Sequence, residues 1–395
     1  MRFFACFIII ALGYVALYML SRKPSSLPRP LGNTLVQQEH TQGKKPVPWT
    51  IHSFYSSDTL LDRLTDSIYS SLSDKEKVAQ LIMPGTSLKK NIGLPFSEIM
   101  QLYKNHQIGG VVFLKGTKTE FTSQISRLNK TSISNKALPL IFSCDCEPAL
   151  FHKKFMDADS LTTTSSLKTS EQVRKVVDNI ASQIKSMGIH WNLAPVVDLS
   201  INKEIIDNRS FGSDNKQVVS QSIIFIRQSS QKNIATSVKH FPGHGTVKGD
   251  SHRKLVYADS ALSELRNFKE VIRHAYPASV MVGHIAIPDN SRYGTKGLPA
   301  SISKEIVTGL LREELDFNGI IFTDAMNMAA VKSFRDADFR AIKAGNDMVL
   351  MPLDAASLHA RLLAEMKRSS PIKEQLTASI KKVIRLKICV GAILL

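Results

Sequence analysis

The chain has 395 residues, 43% of them hydrophobic, with four cysteines and a formal net charge of +17. That length and apolar content exclude a small disulfide-built module and a disordered chain, and fit a large α/β body with extensions. The charge favours anionic surroundings, but no helix-turn-helix, zinc-finger or RNP pattern accompanies it, so a nucleic-acid partner is not expected.

Residues 3–20 carry no charge, with Arg2 before them and Arg22-Lys23 after. Such a stretch just suffices to cross a bilayer, and basic residues occupy the place where a signal peptide would be cleaved. We read residues 1–23 as a hydrophobic membrane anchor or signal segment, with the body exported to the cell envelope on the outer side of the inner membrane. Residues 24–55 read as a proline-rich tether; five prolines lie between positions 24 and 50.

Residues 56–395 alternate amphipathic stretches with short apolar runs at 80–85, 108–115, 139–145, 190–198, 234–240, 279–287, 319–324 and 347–352. Helices are expected between them, among others over 171–186 with Ser170 as N-cap, 260–274 and 304–315. Near-continuous apolar strands alternating with helices imply a parallel sheet covered by helices. Eight such units in one catalytic domain predict a (β/α)₈ TIM-type barrel, with a doubly wound open sheet as the competing topology. Cys144 and Cys146 lie two apart at the end of the third run, where they are expected as ordinary buried thiols.

Barrel enzymes build their sites at the C-terminal ends of the strands. Asp145, Asp198, Lys239, His240, His284 and Asp324 all lie at or near the ends of runs. Asp324, driven to a strand end by Ile-Ile-Phe-Thr, suits a nucleophile, a base or a metal ligand, and equally a helix N-cap. The densest cluster is KHFPGHGTVKGDSH at 239–252. Asp250 two residues before His252 can accept an imidazole N–H and leave the other ring nitrogen to move a proton. Gly243, Gly245 and Gly249 would let this segment open and close. His240, His244, Asp250 and His252 are also possible metal ligands, but Lys239 beside them would repel a dication.

These motifs resemble glycoside hydrolase family three, in its β-N-acetylglucosaminidase branch. KHFPGHG followed by DSH carries the likeness, with NLAPVVD at 192–198, RSFGSD at 209–214, LPASIS at 298–303, GLLREELDFNGIIFTD at 309–324 and AGNDM at 344–348 in the family's order. The resemblance implies retaining, exo-acting hydrolysis of a terminal β-linked N-acetylglucosamine, in peptidoglycan turnover, with no metal and no cofactor. It implies Asp324 as nucleophile, His252 as general acid/base and Asp250 as its partner. Lys239, His240, Arg209 and Asp145 would hold sugar hydroxyls. The chain departs from the branch at 145–153, where it reads DCEPALFHK. Both glycines and the first arginine of the usual pattern are missing, and Lys153 stands where the second arginine would. This altered loop motivates a different reading, a membrane-tethered sugar-binding protein on an inactive scaffold.

Overall fold

The computed structural model describes residues 49–259, 261–368 and 371–393. The hydrophobic segment 1–23 and most of the tether lie outside the described residues. Within the part of the tether that is described, Ile51–Tyr55 forms a helical turn with Ile51 and Phe54 buried. No helix among the described residues is long and apolar enough to cross a membrane.

Each of the eight apolar runs contains strand. In chain order the strands are β1 (Ile82–Met83), β2 (Gly85–Thr86), β3 (Gly110–Phe113), β4 (Ile141–Cys144), β5 (Trp191–Asn192), β6 (Ala235–Phe241), β7 (Val256–Tyr257), β8 (Ser279–Val282), β9 (Ile285–Ala286), β10 (Ile320–Thr323) and β11 (Val349–Leu350), of which β7 lies outside the runs. The first run splits into β1 and β2 at Pro84, which has no N–H to give a ladder. Seven strands form one parallel sheet in the order β10-β8-β6-β5-β4-β3-β2. The sheet curls. β1 and β11 pair with each other, Gly109 donates to Ile82, and Thr323 donates to Met348, so backbone bonds link both edges of the sheet to the β1–β11 pair. This is a TIM-like β/α fold, and the doubly wound alternative is set aside.

The strand residues of the large sheet are buried throughout, as a parallel sheet sandwiched between side chains on both faces requires. Helices cover it with apolar stripes; Val173, Val177, Ile180, Ala181 and Ile184 line the inner face of Ser170–Ser186. That helix is capped by Thr169 rather than Ser170. Thr169 and Gln172 exchange side-chain-to-backbone hydrogen bonds, a reciprocal arrangement open only to the residue three before the glutamine. The helix expected over 260–274 starts later, at Leu265, and runs to Ala275. The one expected over 304–315 is π-helical across Glu305–Glu314, and Leu315 donates five residues back to Leu310.

Two features were not expected. β7 and β9 form a separate two-stranded parallel sheet, which ties the far end of the segment after β6 to the segment after β8. Cys144 and Cys146 are joined as a disulfide rather than free thiols. Their alternate positions at the end of β4 put the side chains on one face, with the Cα atoms 5.7 Å apart.

Candidate active site

The polar residues at the C-terminal ends of the strands converge. Asp145, Lys153, Arg209, Lys239, His240, His252 and Asp324 line one cavity of about 460 Å³. Asp250 stands behind His252 rather than in the lining.

One wall is a charge cluster. Lys239, on β6 and 1% exposed, donates to Asp145 and, at 2.6 Å, to Glu147. Arg209 grips Glu147 with two prongs, and Lys154 reaches Asp145 at 3.3 Å. Burial alone would push the Asp145 carboxyl up, but Lys239, Lys154 and Arg209 hold it well below the usual carboxylate range. Burial likewise works to lower Lys239, and the two carboxylates outweigh it and raise it. Lys239, Asp145 and Arg209 are therefore already committed to one another. Lys153 is exposed at the cavity and Lys154 is the one that reaches Asp145, so the basic role at this loop is shared between neighbours.

Below the cluster, Asp198 is fully buried and organises β6 and the turn after it. Its Oδ2 accepts from the His240 backbone N–H at 3.0 Å and pairs with His240 Nδ1 at 2.7 Å. Its Oδ1 accepts from the His244 N–H at 2.8 Å. With Nδ1–H given to Asp198, His240 turns Nε2 toward Arg209 and the cavity. His240 and His244 thus serve Asp198, while His252 serves Asp250. Among the described residues no group of three or more histidine, cysteine or acidic side chains is arranged to hold a metal ion.

On the opposite side, Asp324 follows β10. Its N–H donates to Val282, and its Oδ1 accepts the Ala325 N–H at 2.7 Å. Burial raises its pKa, but the imidazoles of His240, His284 and His252 and the Ala325 N–H overcome that and hold it at about 2. His284 donates from Nε2 to the Ala325 carbonyl at 3.0 Å and so fixes the peptide beside Asp324. The carboxylate is ionised and oriented at the cavity wall, as a nucleophile must be.

The segment 243–255 brings His252 to the same cavity as this carboxylate. Asp250 Oδ1 accepts both the backbone N–H and Nδ1–H of His252, each at 2.8 Å, which leaves Nε2 to the cavity. The His252 carbonyl accepts from Ala329, in the segment just after Asp324, at 3.4 Å. The glycines do not act as expected. Gly243 and Gly245 are buried against Glu264, whose carboxylate accepts from the backbone N–H groups of Leu199, Gly245 and Thr246. A side chain at Gly243 would lie 2.7 Å from Glu264 Cβ, and one at Gly245 would overlap Leu199 and Glu264. They permit close approach, not motion; of the three, only Gly249 is free of such packing.

The profile of the "Glycosyl hydrolase family 3 N terminal domain" matches residues 74–386. The chain belongs to glycosyl hydrolase family 3. It is 29% identical to a "Beta-hexosaminidase A" of Pseudoalteromonas piscicida over 73% of this chain and 55% of that one. It is 28% identical to a "Beta-hexosaminidase" of Photobacterium profundum over 65% of this chain and 78% of that one. A family 3 β-N-acetylglucosaminidase structure from Paenibacillus sp. superposes with a TM-score of 0.72 at 25% identity, covering 82% of this chain and 63% of the other. A β-N-acetylhexosaminidase from Beutenbergia cavernae shares the fold at a TM-score of 0.69 and 24% identity, over 79% of this chain and 98% of that one. The chain spans about half the length of the first two curated relatives, 55% and 54%.

Several residues that organise this candidate site were not singled out from the sequence. Glu147 was visible as the second acid of Asp-x-Glu, and its pairing with Arg209 and Lys239 follows only from the fold. Lys154 hides beside Lys153. Glu264 reads in sequence as an ordinary acid ahead of a helix, with no motif to mark it.

Proposed function

We propose that the protein is a retaining, exo-acting β-N-acetylglucosaminidase. The observation that carries this reading is the approach of an ionised carboxylate, Asp324, and an imidazole oriented by its own carboxylate, His252 with Asp250, to one cavity. The hexosaminidase names of the relatives support the choice of sugar.

Asp324 attacks the anomeric carbon as the bond to the departing oxygen breaks. His252 Nε2–H gives that oxygen its proton, and a glycosyl ester on Asp324 results. The ring, now neutral, takes a proton from water. The water oxygen bonds to the anomeric carbon, the ester bond breaks back to Asp324, and two inversions leave the configuration retained. Asp250 keeps Nδ1–H in both states: it stabilises the imidazolium that donates from Nε2, and it holds the neutral ring in the tautomer whose Nε2 accepts the proton of water. Sugar hydroxyls are held by the wall of Asp145, Lys239, Arg209 and His240, with Lys153 at the cavity edge.

The uncharged stretch at 3–20 and the basic body support a membrane-tethered protein of the cell envelope, acting on peptidoglycan fragments. Fractionation of cells expressing the full chain or a chain lacking residues 1–23 tests the location; equal solubility of both would refute it.

A fluorinated N-acetylglucosaminyl donor that slows breakdown of the ester, followed by peptide mapping, tests the chemistry. The label is expected on Asp324. Stable labelling of another residue would overturn the assignment, and no turnover of any N-acetylglucosaminide would overturn the activity.

A further inference from the structure

We propose that His244 and Ser251 form a latch, in which the buried His244 ring holds the Ser251 hydroxyl and thereby positions the Asp250–His252 pair at the cavity that Asp324 lines. The inference rests on the reading of His252 as acid/base and adds residues to which that reading gives no role.

Burial alternates sharply along the segment. Lys248, His252, Arg253 and Lys254 are exposed, yet Ser251 between Asp250 and His252 is only 1% exposed. Its side chain turns inward while that of His252 turns out and that of Asp250 is half-buried, and Oγ lies 2.9 Å from His244 Nε2.

The ring it meets is fixed. The His244 N–H is bonded to Asp198, and the ring packs edge-on against His240 with centroids 5.9 Å apart. Nδ1 faces the Asn202 amide nitrogen at 3.4 Å. Asn202 is itself oriented, because its Oδ1 accepts from the Glu204 N–H and its Nδ2 donates to the Gly249 carbonyl at 3.0 Å. Nδ1 therefore accepts, and Nε2–H donates to Ser251 Oγ. Burial lowers the His244 pKa to about 4, so this ring stays neutral while His252 exchanges its proton.

The root of the segment is equally rigid, because Glu264 takes the N–H groups of Gly245 and Thr246. Beyond it, the exposed tip is tied back by the latch, the Asn202–Gly249 bond, the long Ala329–His252 bond and the β7–β9 pairing. The bonds between Asp250 and His252 lie within the tip and travel with it. The latch thus sets where the pair sits relative to Asp324, without touching substrate.

The test is Ser251→Ala in two backgrounds. With an alkyl N-acetylglucosaminide, which needs its leaving oxygen protonated, kcat/KM is expected to fall about 2- to 10-fold, the effect of one net hydrogen bond. With a dinitrophenyl glycoside, whose leaving group needs no proton, kcat/KM is expected to stay close to wild type. Added to His252→Ala, the substitution is expected to change neither value. A loss equal for both substrates, or one that persists in the His252→Ala background, would show a structural role and overturn the latch. Hydrogen–deuterium exchange gives a readout independent of turnover: residues 248–255 are expected to exchange faster in Ser251→Ala and in His244→Ala. Unchanged protection overturns the latch even if the wild-type protein hydrolyses no glycoside, a result that would instead count against the proposed activity.

Discussion

Arg209 and Glu147 form a two-pronged ion pair, Nε to Oε2 at 2.8 Å and Nη2 to Oε1 at 2.7 Å. The guanidinium also donates from Nη1 to the Ile205 carbonyl at 3.0 Å. Most of its donors are therefore used inside the protein, and Arg209 acts on the sugar chiefly through what it braces. Burial works to lower its pKa, but Glu147, Asp145 and Asp198 outweigh it and keep the group charged. Glu147→Ala leaves Arg209 and Lys239 without their shared partner, and breaking such a buried pair costs about 3–5 kcal/mol. Urea unfolding should show a loss of that order. Arg209→Lys should recover little of the pair's stability, since a point charge cannot reproduce the fork. A Glu147→Ala protein as stable as wild type would mean the cluster is not held by this pair.

Removal of His252 should act selectively. General acid–base assistance contributes about 10²–10⁴-fold. His252→Ala should lose that much kcat/KM with poor leaving groups and far less with good ones. Asp250→Asn keeps a side chain of the same shape but no longer holds the ring with a carboxylate, so it should show the same selectivity to a smaller degree. Equal losses across leaving groups for His252→Ala would remove it from proton transfer.

The pattern of legibility follows from how each feature is encoded. Parallel strands buried on both faces appear as unbroken apolar runs, so all eight units could be read, and the polar residues that end them marked the cavity. Asp324, Lys239 and His240 were visible for that reason. β7 is a two-residue strand with no apolar run around it, and β9 is merged with β8 in the single run 279–287, so their pairing left no separate pattern. Glu264 and Ser251 owe their roles to distant partners, the first reaching Leu199 and the second His244, and no local spacing records such contacts. The glycines misled because sequence shows that a side chain is missing but not what fills the space. The 144–146 disulfide was hidden because a Cys-x-Cys pair has no framework around it.

The packing of the two glycines on Glu264 separates root from tip experimentally. A methyl group at Gly245 would overlap Leu199 and Glu264, both part of the buried floor, whereas one at Gly249 would meet only Val256 Cγ1 at 3.5 Å and Lys254 Cε at 3.6 Å. Gly249 has φ +100°, so its alanine variant is strained as well, by roughly 1–2 kcal/mol. Gly245→Ala should therefore lower both the melting temperature and activity toward every substrate, with a loss of about 1–3 kcal/mol typical of overpacking. Gly249→Ala should affect mainly the reactions that need His252. A Gly245→Ala protein with normal melting and normal turnover would show that the root is not rigid.

Glu264 gives a pH signature. Burial and the neighbouring Asp198 carboxylate push its pKa up to about 8, against the pull of the Leu199, Thr246 and Gly245 N–H groups. An unfolded glutamate titrates near about 4.3. With the folded value above the unfolded one, the native state keeps a proton that the unfolded state releases between these limits. The contribution is full below about pH 4 and is lost as pH rises through about 8. Glu264→Gln carries no such proton. The stability of wild type relative to this variant, from urea unfolding at intervals between pH 5 and 9, should therefore decline with pH and level off above 8. Taking the difference removes the opposite trend from buried Lys387, whose pKa burial lowers to about 7, and the similar one from Asp338, raised by burial to about 6. A flat difference across this range would mean that the four donors on Glu264, the Thr246 hydroxyl among them, keep it ionised in the native protein. The segment would then be rooted in a full negative charge beside Asp198, and the charge-assisted form of those bonds would be the stronger hold on its position.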